Sequence, residues 1–193
     1  MSDDLSWVTW WARPWESAHI DWLTLTGFID TAALSRSHHV RASNLFGIKP
    51  ELPPPMSAAL LQLVMTSSQQ QDLILALVNE VYNAPHDSRL SQAQLLWCQR
   101  LAKALPPGPT PLSIDDPLHY LRAWVPPAIW QRLRLSFARQ RVLELEQYPK
   151  LGDTQGRLDI LWQAAIWRAT STSIDDALRA SREISNHVLH PEN

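Results

Sequence analysis

Apolar residues recur with helical spacing along most of the chain. The clearest case lies in the last quarter, where six apolar positions follow the i, i+3, i+4, i+7, i+8, i+11 pattern of one helical face. These positions are Leu158, Leu161, Trp162, Ala165, Ile166 and Ala169. Asp153 precedes them and is expected to cap this helix. Ser173 has capping-box spacing with Asp176 and predicts one more helix after it.

Serine residues predict where the helices of the middle region begin. A serine followed three residues later by glutamine has the spacing of a capping box. The pairs are Ser68 with Gln71, for a helix ending near Asn83, and Ser91 with Gln94, for a helix ending near Leu105. Ser57 is expected to cap a helix over 58–65. The run Leu73–Val78 is apolar on nearly all sides, which predicts a central, buried helix.

Five tryptophans lie in the first 22 residues. Trp7, Trp11 and Trp15 recur every four residues, so a helix would place them along one face. Pro14 argues against one straight helix through this region. The pattern that follows is weak, and we predict only a short helix near 30–36.

Prolines separate the predicted helices. Three proline groups are expected to form stiff breaks, and they are Pro50 with Pro53–Pro55, the four prolines between Pro106 and Pro111, and Pro126-Pro127. Pro117 suits the first position of a short helix that ends near Trp124. Pro127 can begin the next helix, predicted over about 128–147, and Ile129, Leu133 and Phe137 form its apolar stripe.

Composition supports a helical protein. Leucine and alanine total 49 residues, whereas the β-branched valine, isoleucine and threonine total 27. The hairpin signals Asn-Gly and Asp-Gly are absent. We therefore predict an all-α fold in a single irregular domain over residues 1–193, with a Trp-rich N-terminal portion (1–55) and a helical body (56–193).

Charge and apolar run lengths limit the partners and the location. The net charge of −2 provides no positive electrostatic field that would attract nucleic acid. The longest apolar run has six residues, far short of the ~20 that span a bilayer. The first four residues, Met1-Ser2-Asp3-Asp4, lack the basic start of a signal peptide. A cytosolic location without a transmembrane segment is the expectation.

The sequence contains no recognisable catalytic motif. The five glycines form no phosphate-binding loop, and no GxSxG nucleophile motif is present. The single cysteine, Cys98, lies in the middle of a predicted helix and is expected to fill the core. His187 and His190 could share a helical face, but surface histidines explain them better than a metal site. No catalytic residue, cofactor or metal is predicted.

Arginines dominate the region from Leu118 to Leu143. Its charged residues are Arg122, Arg132, Arg134, Arg139 and Arg141, with no acid among them. On a continuous helix over 128–147 the last four would flank the apolar stripe in two pairs. Such arginines fit a solvated helix beside a core. They also fit a partner-binding site, because arginine and tryptophan are enriched in interface hot spots.

The same region resembles the SctK family (YscK/PscK/OrgA-type proteins) of bacterial type III secretion. The resemblance lies in a short helix, a proline break and a Trp-x-Arg-Leu-x-Leu helix start, here Tyr120–Trp124, Pro126-Pro127 and Trp130-Gln-Arg-Leu-Arg-Leu135. The leucine-rich segment Leu73–Glu80 is also similar to the middle region of the family. Together the similar segments lie within about residues 57–140.

The resemblance implies a non-enzymatic structural role in the cytoplasmic sorting platform, at the inner-membrane face. SctK proteins lie between the SctD inner-membrane ring and the SctQ pods, with SctL and the SctN ATPase in the same assembly. The family offers no residue-level site, so our own hypothesis places a docking surface at Trp124, Trp130, Arg132 and Arg134.

Two other classes of function stay open. One is a helical adaptor or regulator outside secretion that binds its partner through exposed tryptophans. The other is an enzyme whose site combines scattered histidines with carboxylates in a deep polar pocket, and the histidines in question are His19, His86 and His119.

Overall fold

The structure is a computed structural model that describes residues 3–24, 39–85, 87–106, 116–152 and 156–171. All regular secondary structure in these ranges is helical, which confirms the all-α prediction. The predictions near 30–36, in the 107–111 linker, at Asp153 and after Ser173 lie outside the described residues.

The first helices are short and lie on either side of a gap in the described residues. They are α1 (Asp3–Ala12), a 3₁₀ turn (Pro14–Ser17), α2 (Ile20–Thr24) and α3 (His39–Leu45). Pro14 begins the 3₁₀ turn, so the predicted break in the N-terminal region is confirmed. The sequence pattern did not predict α3.

The helical body follows an extended segment over residues 48–57, as the prolines there predict. Its elements are α4 (Ala58–Met65), α5 (Ser68–Asn83), α6 (Gln92–Ala104), α7 (Leu118–Trp124), α8 (Pro127–Leu133), a 3₁₀ turn (Arg134–Ser136), α9 (Arg139–Glu146) and α10 (157–171). Pro127 begins α8 as predicted, whereas Pro117 lies one residue before α7 instead of inside it.

Buried side chains form one cluster that extends from Trp7 to Ala169. All six apolar positions predicted for the inner face of α10 are buried. Cys98 is also buried, and its Sγ–H donates to the Leu77 carbonyl oxygen across the α5–α6 pair at 3.6 Å. Burial raises the pKa of the Cys98 thiol to about 12, and the charge of Glu80 adds to this effect. The thiol is therefore a core group, as the sequence predicted.

Of the two capping boxes predicted within the described residues, one is displaced by one residue. Ser57 precedes α4 but its side chain makes no capping hydrogen bond. Ser91 and Gln94 form their capping box as predicted. At α5, however, the box uses Ser67 and Gln70, with Gln70 N–H donating to Ser67 Oγ at 3.3 Å and Ser67 N–H donating to Gln70 Oε1 at 3.1 Å. The predicted partner Gln71 is instead buried and donates to the carbonyl of Leu63 on α4. Its inward orientation prevents it from capping the helix.

The predicted continuous helix over 128–147 is wrong. The chain leaves helical geometry at Phe137, whose ψ angle is 158°. Two carbonyls at this break bond to the N-terminal region. The Leu135 oxygen accepts from His19 N–H at 2.7 Å, and the Phe137 oxygen accepts from Trp22 Nε1–H at 2.9 Å. A continuous helix would use these oxygens internally, so tertiary hydrogen bonds replace two helical ones. The predicted pairing of arginines along that helix does not exist.

Candidate functional site

Arg132 is a buried arginine that joins three segments of the chain. Its side chain is only 3% exposed. Nε–H donates to the Trp11 carbonyl at 3.0 Å, Nη1–H to the Ala128 carbonyl at 2.9 Å and Nη2–H to the Lys49 carbonyl at 3.3 Å. The guanidinium carbon also lies 3.6 Å from the centre of the Trp11 ring, which is cation–π geometry. Arg132 therefore ties α1 and the extended segment to α8.

No carboxylate hydrogen-bonds to Arg132 in the described structure. Burial lowers its pKa to about 10, and the charge of Glu51 opposes this shift. The side chain accordingly keeps its proton at neutral pH. The charge is solvated by backbone carbonyls and an indole face instead of water or an acid, which suits a structural role.

The indoles of α1 also bond to the extended segment. Trp7 Nε1–H donates to the Pro54 carbonyl at 3.1 Å, and Trp11 Nε1–H donates to the Glu51 carbonyl at 2.9 Å. These two bonds account for the spacing of four residues between the tryptophans. The N-terminal tryptophans are buried, so they do not form an exposed aromatic surface.

Arg134 and Trp130 converge on Glu146 of α9. Arg134 Nη1–H lies 2.9 Å from both carboxylate oxygens of Glu146, and Trp130 Nε1–H donates to Oε1 at 2.8 Å. Arg134 Nη2–H also donates to the Phe46 carbonyl at 2.8 Å. Gly47 follows with φ of +64°, and a Cβ there would lie 3.1 Å from that same nitrogen, so glycine suits the position in both respects.

Trp124 connects α7 to α10. Its Nε1–H donates to Asp159 Oδ1 at 3.0 Å, and its ring stacks on Trp162 with a centroid distance of 5.7 Å. Trp162 itself is fully buried.

These contacts correct the proposed docking surface. Trp130 is 6% exposed and Arg132 is 3% exposed, so neither side chain is presented to a partner. Trp124 and Arg134 are half-buried and bonded to other parts of the chain. The four residues form internal connections because the proline break folds this region against the N-terminal segment. Their tryptophan and arginine content suits a core as well as an interface.

The structure instead presents hydrophobic side chains on the outer face of α10. All ten tryptophans lie within the described residues, and Trp167 is the one that is mostly exposed, at 60%. Ile160, seven residues earlier, is 48% exposed, so the two lie on one side of the helix. The sequence pattern favoured α10 as amphipathic, but it did not single out Trp167.

The described structure contains an apolar groove and a smaller polar cleft. A groove of about 510 Å³ runs between α1 and α3 and is mainly apolar, with Trp11, Trp15 and Val40 in its wall. A smaller cleft of about 340 Å³ is polar and lies where α7, α8 and the end of α9 meet. Arg122, Lys150 and Glu146 line the cleft. Arg122 belongs to the arginine-rich region of the sequence, whereas Glu146 and Lys150 lie outside that region and were not predicted.

The histidines of the enzyme hypothesis have local roles where they are described. His19 Nδ1 lies 3.3 Å from Asp21 Oδ2, and His119 packs edge-on against Tyr148 at a centroid distance of 5.5 Å. His86 lies outside the described residues. Among the residues that the structure describes, no three His, Cys, Asp or Glu side chains are grouped closely enough to hold a metal ion. No described helix is long and apolar enough to cross a bilayer.

Asp116 connects the start of α7 to α9. Its carboxylate accepts from Arg141 Nε at 2.7 Å and Nη2 at 2.8 Å, and from the Leu118 N–H at 2.8 Å. Burial alone would raise its pKa, but these hydrogen bonds and the charge of Arg141 lower the pKa below its ordinary 3.8. The pKa of His119 is lowered below 6.5 by burial and by Arg122, while the charge of Asp116 opposes the shift.

Acid is expected to weaken the fold through both groups. Each pKa is lower in the folded state than in the unfolded chain, so each contribution is complete above the unfolded pKa and is lost as pH falls through the folded value. The loss at His119 begins near pH 6.5 and that at Asp116 begins near pH 4. Asp116→Asn should lower the free energy of unfolding by about 1–2 kcal/mol at neutral pH, because Arg141 loses its charged partner, while the asparagine oxygen can still accept from the Leu118 N–H.

Urea unfolding of the variant and the parent at a series of pH values measures this effect. The difference between them should shrink as pH falls through the folded pKa of Asp116, since the parent then loses its charge as well. Asp72→Asn, an exposed carboxylate on α5, is the matched control and should show little difference at any pH. A difference for Asp116→Asn that stays constant down to acid pH would contradict the assignment.

Comparison of the chain with protein-family models, with curated proteins and with solved structures finds no match.

Proposed function

We propose that the protein is a non-enzymatic structural component of a bacterial type III secretion sorting platform. In this proposal it links an SctD-like inner-membrane ring protein to an SctQ-like pod protein, beside SctL and SctN. The assignment to type III secretion rests on the resemblance of the stretch Tyr120–Leu135 to SctK proteins. The observation that carries a protein-binding role is the exposed face of α10.

That face combines features of a protein interface. Trp167 is 60% exposed on a helix whose opposite side is fully packed into the core, so the backbone beneath it is held firmly. Ile160 extends the apolar area by two turns, and exposed polar residues (Asp159 and Gln163) lie beside it. A rigid tryptophan with aliphatic support and a polar rim is the usual composition of a binding hot spot.

The segment that carries the resemblance supports the proposal through its place in the fold. Within Tyr120–Leu135 lie Arg132, bonded to α1 and the extended segment, and Trp124, bonded to α10. This helix–proline–helix unit therefore connects the N-terminal region to the helix that bears Trp167. A family that shares this unit would share a scaffold for presenting a surface, without sharing a catalytic motif.

Affinity purification of the full chain from its native organism tests the proposal. The expected result is co-elution of an SctQ-like and an SctD-like protein. Trp167→Ser should reduce recovery of at least one of them by about tenfold or more, the size expected for a hot-spot residue. Leu96→Ser, which removes an exposed apolar residue from α6, is the matched control and should recover both partners.

The alternatives give different results. Stable recovery of partners unrelated to secretion would contradict the secretion assignment and favour the helical adaptor. Full recovery of the secretion partners by a folded Trp167→Ser variant would contradict the role of the α10 face.

A further inference from the structure

The polar cleft of about 340 Å³ has an excess of positive charge. Three cationic side chains line it, namely Arg122, Arg134 and Lys150, and Glu146 is the acidic residue among its lining side chains. The remaining lining residues are uncharged and include Pro127 and Trp130. The wall therefore carries two more positive charges than negative ones.

Glu146 is already engaged and neutralises Arg134. Both of its oxygens lie 2.9 Å from Arg134 Nη1, and Oε1 also accepts from Trp130 Nε1. The pair is only partly exposed, with 15% of the Arg134 side chain and 24% of the Glu146 side chain accessible. The excess charge is consequently that of Arg122 and Lys150.

Neutral backbone carbonyls hold these two cations in place. Arg122 Nη1–H donates to the carbonyls of Leu145 at 3.2 Å and Tyr148 at 2.9 Å, and Lys150 Nζ–H donates to the Val125 carbonyl at 3.3 Å. A carbonyl fixes the position of a cation without cancelling its charge. A guanidinium has five N–H donors and an ammonium has three, so both groups retain donors for a ligand.

Arg134, which lines the cleft, also carries a buried donor that the chain itself leaves unused. Nε of Arg134 is buried and has no hydrogen-bond acceptor within the described part of the chain. Buried donors without acceptors are costly and uncommon in folded proteins.

We propose that this cleft binds a compact dianion of the phosphate class, either free phosphate or a small phosphate monoester. Two positioned cations match a doubly charged oxyanion, whereas a single carboxylate would balance only one of them. The volume lies at the lower end of the range for small-ligand sites, about 300–1,000 Å³, which suits a phosphate group with few additional atoms. Arginine and lysine are the usual partners of phosphate oxygens.

Calorimetric titration of the full chain at low salt and about pH 8, where phosphate monoesters are doubly charged, tests the site. The probes are inorganic phosphate, glycerol 2-phosphate and, as a monoanion control, acetate. We expect saturable binding of at least one phosphate probe and much weaker binding of acetate. Preference for inorganic phosphate or for the ester distinguishes the two sources of the ligand.

Lys150→Gln is the decisive variant, because Lys150 is exposed and bonds to the protein only through one carbonyl. Its affinity for the preferred phosphate probe should fall about tenfold, as expected for loss of one charge-assisted hydrogen bond. Lys103→Gln removes the same charge from an exposed position on α6 and should leave the affinity unchanged.

Three results would overturn the proposal. They are absence of saturable phosphate binding, equal weakening by the two lysine variants, and acetate binding as tight as phosphate binding. Equal weakening by the two lysine variants would mean that phosphate binding depends on the overall charge of the protein and not on the cleft.

Discussion

Arg132→Met is expected to lower the free energy of unfolding by about 3–5 kcal/mol, because three carbonyl groups lose a charged donor at once. That amount is a large part of the 5–15 kcal/mol that stabilises an ordinary domain. Urea unfolding followed by far-UV circular dichroism measures it. The loss should be similar at low and high salt, since the partners of Arg132 are carbonyls and an indole ring instead of an acid.

The position of the three acceptors explains the size of this effect. Trp11 and Lys49 belong to two distant segments, and Ala128 lies one turn before Arg132 on α8, so one side chain ties both segments to its own helix. Methionine fills the space of the arginine stem but cannot donate a hydrogen bond. Hydrogen exchange should therefore also become faster in the extended segment over 48–57, where the Lys49 carbonyl loses its partner.

Two further variants separate this role from a simple charge effect. Arg132→Lys keeps the charge, but an ammonium cannot reproduce the planar fork of donors, so a substantial loss should remain. Arg100→Met removes a charge from an exposed position on α6 and should leave stability nearly unchanged. Parent-like stability of Arg132→Met would contradict the structural role of Arg132.

The second large effect is expected at Trp15, which is fully buried between Phe46 and His39. Trp15→Ala should lower the free energy of unfolding by about 3–5 kcal/mol, the usual cost of a large cavity in a core. The indole N–H of Trp15 has no hydrogen-bond acceptor in the described structure. Its contribution is therefore one of volume and ring packing alone.

Trp22 provides the matched comparison, because its buried N–H donates to the Phe137 carbonyl. Benzothienylalanine has nearly the shape of tryptophan and carries sulfur in place of the N–H. Introduced at position 15, it should leave stability unchanged or raise it slightly. Introduced at position 22, it should cost about 1–3 kcal/mol, the penalty for a buried carbonyl left without its donor. Equal effects at the two positions would contradict this distinction.

Local sequence patterns were sufficient to predict most helices of the helical body. The spacing along α10 identified every side chain that this helix buries in the core, and Ser91 with Gln94 identified the start of α6. The prediction placed the capping box of α5 at Ser68 and Gln71, whereas it forms at Ser67 and Gln70. The difference depended on Gln71, which is drawn inward to a carbonyl of α4.

The candidate site was less predictable than the fold. Tryptophan and arginine are common both in interfaces and in cores with cation–π contacts, so their presence at 124–134 was compatible with either. The cleft combines Arg122 with Glu146 and Lys150, which follow it by more than 20 positions. No short motif contains such a set.

The sequence alone established that the chain is helical, where α4, α6 and α8 begin and which side of α10 is buried, because capping and amphipathic spacing act over three or four residues. The break at Phe137 and the burial of Arg132 depended on the folded chain. Arg132 and its acceptor Trp11 are 121 positions apart, and Trp22 and Phe137 are 115 apart. Local propensity at Leu135 and Phe137 favoured a continued helix, and hydrogen bonds from the N-terminal region outweighed it. The same contacts turned a predicted docking surface into the interior connection that supports α10 and its exposed Trp167.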